Sequence, residues 1–161
     1  MKKTIRTAIV ALCAALALCG CSKSKNSLPG SYTYKTSGSI TVSGEDGSSV
    51  LCLHPEQGQM HVLDDGDGRV VVTFNDISGN ADVAYGTIDG NELTLDKKQQ
   101  KAISLTEGTL KVGSFVVGYT GKGRLLEDML IIDLEYSGHI EIGEKEMAIT
   151  ETSVHCVARK N

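Results

Sequence analysis

The sequence predicts an all-β chain whose strands run as an antiparallel meander, and three observations predict it. Apolar runs are short and filled with Val, Ile, Thr and Tyr, the side chains that suit a pleated, half-buried surface. Gly, Asp, Asn and Ser interrupt them at intervals typical of turns. No long segment keeps a helical period, whereas Leu130, Ile132, Leu134 and Tyr136 alternate with Met129, Ile131, Asp133 and Glu135. That is period two. The second set is the more polar, as in a strand with one face on a core.

Taken in order, strands are expected at 31–36, 38–43, 49–53, 59–63, 69–75, 81–88, 92–96, 101–106, 109–118, 129–136 and 146–157. Gly44 to Ser48 and Asp64 to Gly68 read as hairpin loops. Asp89-Gly90-Asn91, between Ile88 and Leu93, is the clearest hairpin, because Asp-Gly supplies the positive φ that a tight turn requires. Ser78-Gly79-Asn80 and Ser137-Gly138 serve likewise. The β-branched run Val70-Val71-Val72-Thr73-Phe74 reads as a central strand, or one buried on both faces. Asp96 to Lys101 is the piece most tolerant of a helical turn. A meander of this length closes into a barrel or folds as a sandwich.

The chain begins with a different kind of segment. Lys2, Lys3 and Arg6 precede an uncharged stretch, Ala8 to Leu18, that ends at Gly20-Cys21. This is the layout of a secretory signal, and the apolar run is too short to span a hydrocarbon core of ~30 Å. Residues 1–20 are therefore expected to be removed. Ser22 to Ser27 is polar and reads as a flexible tether, so that 21–27 precede a single domain over 28–161.

The signal holds three of the 16 Lys and Arg and none of the 20 Asp and Glu. The remainder thus carries 13 against 20, a net charge of −7 with His neutral. An acidic exported domain is a poor nucleic-acid binder, because such binding rests on phosphate neutralisation. There is no Trp, which disfavours an aromatic shelf for sugars or bases. After maturation the cysteines are Cys21, Cys52 and Cys156. Cys21 precedes the tether, which leaves Cys52 and Cys156 as an even pair within the domain; a Cys52–Cys156 disulfide is the expectation in an oxidising compartment, two separate buried thiols being the alternative.

Asp64-Asp65-Gly66-Asp67-Gly68 looks like a calcium loop, but an EF-hand frame from Asp65 puts Arg69 at the fifth position and offers no Gly at the sixth. An acidic hairpin loop is the expectation. Cys52, His54, His155 and Cys156 would make a zinc-compatible set if the first and last strands were neighbours, but neither pair has the usual ligand spacing. No metal and no cofactor are expected. His61 and His139 read as surface or strand-facing residues. Gly-x-Ser-x-Gly is absent, and Gly121-Lys122-Gly123 is too short for a phosphate loop. Asp133 and Glu135 fall on a solvated face. No constellation nominates an enzyme mechanism, and no catalytic residue is expected.

Leu18-Cys19-Gly20-Cys21 resembles the lipobox of bacterial lipoproteins, which implies a lipid on Cys21 and anchorage in a membrane. Several acyl chains hold such a protein stably. Leu28-Pro29-Gly30-Ser31-Tyr32 resembles the first strand of calycins, the lipocalin-like barrels, with Tyr32 in the Trp place of a Gly-x-Trp motif. The usual Thr-Asp-Tyr element is missing. Val71-Val72-Thr73-Phe74 and then Gly86-Thr87-Ile88-Asp89-Gly90-Asn91-Glu92-Leu93-Thr94-Leu95 resemble a hairpin of calycin-like lipoproteins. Gly121-Lys122-Gly123-Arg124-Leu125 and Leu130 to Tyr136 resemble a later element of that group. The resemblance implies a lipocalin-like antiparallel barrel of about 8–10 strands and carries over no functional residue. The expected role is that of an envelope lipoprotein, on the outer membrane by resemblance, that binds a small apolar or amphipathic ligand inside the barrel. The alternative is a module that binds an envelope protein and has no ligand cavity.

Overall fold

The computed structural model describes residues 27–161, the side chain of Lys98 excepted. The expected signal 1–20, Cys21 with its expected lipid, and residues 22–26 of the expected tether lie outside the described residues. The described chain is all β. In order come β1 (Gly30–Gly44), β2 (Gly47–Leu53), β3 (Glu56–Gly66), β4 (Arg69–Asp76), β5 (Ala81–Asp89), β6 (Glu92–Glu107), β7 (Leu110–Leu126), β8 (Met129–Ser137), β9 (His139–Ile142) and β10 (Lys145–Lys160). Neighbours pair antiparallel throughout. Hydrogen bonds run β1-β3-β4-β5-β6-β7-β8-β10 and return from β10 to β1, a ring of eight strands. Closing the ring pairs the edges that an open sheet would expose.

Two breaks shape the ring. At His54-Pro55 one long strand divides into β2 and β3. β3 pairs with the first half of β1, Gly30 to Thr36, and β2 with the second half, Ser39 to Gly44. Pro has no N–H to give a ladder, so the split falls where the sequence cannot continue one. β4 and β5 form a short hairpin beside β3. Above its turn, Cys52 and Leu53 of β2 reach Thr106 and Leu105 of β6 directly, and His54 N–H donates to the Ser104 carbonyl at 2.8 Å. The second break is a bulge in β6. Leu95 stands opposite Gly121 and Gln99 opposite Tyr119, so four residues of β6 span two of β7. Arg69 holds Asp96 at 2.9 Å and the Thr120 hydroxyl donates to the Leu95 carbonyl at 2.7 Å. Here β6 leaves β5, whose pairing with it covers only Gly86 to Asp89. Asp96 to Lys101, the piece most tolerant of a helical turn, is therefore strand with a bulge.

Strands expected separately at 31–36 and 38–43 are one strand, β1. Gly38 adopts φ +145°, and a Cβ there would lie 2.1 Å from the Ser153 carbonyl oxygen, so glycine lets two backbones meet. β7 runs eight residues past the expected end. Gly121 and Gly123 face inward there, and an added Cβ would press on Leu134, Ile132 and Leu130 of β8 at about 3.0–3.2 Å. The Val70–Phe74 run alternates instead of being buried on both faces: Val70, Val72 and Phe74 are buried, Val71 and Thr73 half-buried.

The inward faces form one core. Toward the end where the chain enters, Leu28, Tyr32, Met60, Val62, Leu93 and Leu130 are buried. The Tyr32 hydroxyl donates to the Leu28 carbonyl at 2.5 Å, fixing Leu28 as a plug. Toward the far end lie Ile40, Val42, Leu51, Leu105 and Ile140. Between these apolar zones the inward side chains turn polar: Thr36 on β1, Glu56 on β3, Lys101 on β6 and Cys156 on β10.

Candidate functional site

The polar zone opens sideways. The β2–β3 break, the β4–β5 turn and the β6 bulge frame a window in the wall. Behind it is a pocket of about 630 Å³ lined among others by His54, Glu56, Phe74, Ile77, Asp82 and Lys101. The β4–β5 turn forms a built rim. The Asp76 carboxylate accepts from Ser78 N–H at 2.9 Å and from Asn80 N–H and Nδ2 at 2.8 Å. The Asn80 side chain, helped by those backbone N–H groups, holds the Asp76 carboxyl below the usual carboxylate range. Ile77 N–H donates to the Gln57 carbonyl at 3.0 Å, which pins the rim to β3 and leaves the Ile77 side chain in solvent.

At the base of the window Lys101 is only 7% exposed. Its ammonium lies 2.8 Å from Glu56 Oε1 and 2.7 Å from Oε2, and 3.3 Å from Asp82 Oδ2. It also stands 5.4 Å above the centre of the Phe74 ring, a favourable place for a cation. Glu56 Oε1 further accepts the Tyr34 hydroxyl at 2.6 Å. Burial, and next the bond to Glu56, push the Tyr34 phenol far above its ordinary range. Three strands distant in sequence thus supply one ion cluster. A charge this well enclosed requires partners, and every Lys101 proton has one in reach.

Deeper in, Tyr119 and Tyr136 pack edge to face with ring centres 6.3 Å apart. Both are nearly fully buried, and among the described residues their hydroxyls have no hydrogen-bond partner. Burial raises both phenols well above the ordinary value, and the charges of Glu56 and Asp82 act in the same direction. Buried polar atoms without partners are uncommon and call for a reason.

The Cys52–Cys156 disulfide expected from the sequence is not made: both cysteines are free. Ser39 faces Cys52 on one side of β1, and Thr36 faces Cys156 on the other. The cysteines are thus offset by three residues and two strands, ~10 Å in each direction, against a Cα limit of ~7 Å for a bridge. They also point oppositely, Cys52 outward and Cys156 into the core. Burial pushes the Cys156 thiol up to about 11, though its bond to Thr36 pulls the other way. A thiol reagent on native protein lacking Cys21 is expected to modify Cys52 alone, with Cys156 reacting only in denaturant. Two native reactive thiols, or none, would contradict the placement.

The remaining sequence candidates do not gather into a site. His155 Nδ1 lies 2.7 Å from Asp133 Oδ1 across the outer face, with both side chains more than half exposed; such pairs contribute at most ~1 kcal/mol. His61 bonds Ser31 at 2.9 Å, and His139 is exposed. Cys52 and His155 point outward while Cys156 points inward, so the zinc-compatible set does not assemble. Among the described residues no three His, Cys, Asp or Glu stand close enough to hold a metal. Asp64 to Gly68 is a hairpin turn, with Asp64 Oδ1 accepting Gly66 N–H at 2.9 Å. The ion cluster itself was missed. Its one sequence signal was the position of Lys101, in step with the inward Ile103 and Leu105.

No protein family, curated protein or solved structure matches the chain.

Proposed function

We propose that this chain is a lipid-anchored envelope protein, on the outer membrane, whose calycin-like β-barrel binds a small amphipathic molecule through the window in its side wall. The carrying observation is a pocket of about 630 Å³ that ends on the Lys101–Glu56–Asp82 cluster. Binding sites combine apolar walls with a few converging polar groups. Phe74, Ile77 and Pro55 offer the first, and the cluster with Tyr34 the second. The ends of the ring are filled by core side chains, so the ligand enters from the side. The anchor rests on the lipobox-like Leu18 to Cys21.

Native mass spectrometry of residues 22–161 purified from the source cells tests the reading. One small molecule bound per chain is expected, and Ala102→Trp at the window rim should abolish it. A bare chain under gentle extraction, or binding indifferent to Ala102→Trp, would sink the proposal. The second reading, a docking module for an envelope protein, is favoured by one feature. Leu110 and Val116 of β7 are exposed along the stretch where β7 pairs with β6 alone. Cross-links from that stretch to one membrane protein in intact cells would support it.

A further inference from the structure

The hydrogen-bonding inventory of the window points to the charge of its ligand. Lys101 has three protons, and Glu56 Oε1, Glu56 Oε2 and Asp82 Oδ2 stand within 2.7–3.3 Å of them. An incoming anion finds no free donor on Lys101 and would have to displace Glu56. It would also meet three carboxylates, Glu56, Asp76 and Asp82, against one ammonium around the pocket. Asp76 spends its acceptors on the β4–β5 turn. Asp82 uses a single oxygen, Oδ2, and its side chain is 31% exposed. The pocket therefore presents acceptors and negative charge.

Phe74 and Ile77 give an apolar body a wall to lie on.

We infer that the window takes an organic cation, a protonated amine on a short apolar body, with Asp82 as its counter-ion and Phe74 beside its apolar part. The inference rests on the pocket reading above and adds the charge class.

Matched six-carbon probes test it: hexylammonium, hexanoate and hexanol, each titrated into residues 22–161, which hold the whole ring and core, and followed by amide NMR. Hexylammonium should saturate shifts at Glu56, Ala81, Asp82 and Lys101, while hexanoate leaves them unmoved. Asp82→Asn should weaken hexylammonium at least ~10-fold, the scale of a lost charge-assisted hydrogen bond. Should that variant fail to fold, wild type still decides, since added salt should weaken hexylammonium and spare hexanol. If hexanoate or hexanol binds these amides as well as the amine, the cation assignment falls and the pocket stands. If none of the three binds, both fall.

Discussion

Replacing Lys101 by Met should destabilise the fold by about 2–3 kcal/mol. Removing one partner of a buried ion pair strands the other, and for fully buried pairs this costs roughly 3–5 kcal/mol. Glu56 and Asp82 keep 24% and 31% of their side chains in solvent, so the cost falls to the bottom of that range or just below it. The loss arises less from attraction forgone than from the Glu56 carboxylate left beside the Tyr34 hydroxyl and Phe74. The double variant Lys101→Met, Glu56→Gln should therefore recover much of the loss, since Gln still accepts the Tyr34 hydroxyl and carries no charge. Urea midpoints at unchanged slope measure both. A single variant within ~0.5 kcal/mol of wild type, the scale of an ordinary surface change, would show that the cluster is solvated and not enclosed.

The second large effect is alkaline unfolding. Burial lifts Tyr32 from 10.0 to about 12 and Cys156 from 9.0 to about 11. It lifts Tyr34, Tyr119 and Tyr136 further still. Each group is neutral when protonated, and the folded chain holds that proton more tightly than the unfolded one. The stabilisation is complete below pH 9. It is lost as pH rises, from about 9 for Cys156 and 10 for the tyrosines, toward the folded values. One pKa unit corresponds to ~1.4 kcal/mol, so Tyr32 alone removes ~2–3 kcal/mol between pH 10 and 12, and the other four act the same way. Strand circular dichroism followed with phenolate absorbance should show most tyrosines ionising together as the sheet is lost. Ionisation of four tyrosines on an intact sheet would refute their burial.

The strand inventory was largely legible because an inward–outward period of two leaves a mark in each strand. Leu130 to Tyr136 reads off directly, and all four apolar members are buried. What stayed hidden has identifiable causes. The second half of β7 is rich in glycine, which weakens a strand signal. Those glycines are there because Leu134, Ile132 and Leu130 fill the space above them. β9, four residues long, is too short to show a period. The ion cluster joins positions 56, 82 and 101, and only the ring's register places them together. The disulfide expectation failed because cysteine parity carries no information about which face of a wall each thiol occupies.

One feature of the fold bears on force. The chain enters at Leu28, held by the Tyr32 hydroxyl, and runs straight into β1. That strand lies between β10 on one side and β3 and β2 on the other. A pull arriving from residues before Ser27 acts along β1, nearly at right angles to its ladder hydrogen bonds. It must slide the strand past both neighbours at once, loading many bonds in parallel. An end strand with one neighbour would instead peel open bond by bond. A single-molecule pull from residue 27 should therefore meet a high, abrupt rupture force, and a pull that prises β9 from β10 a low, gradual one.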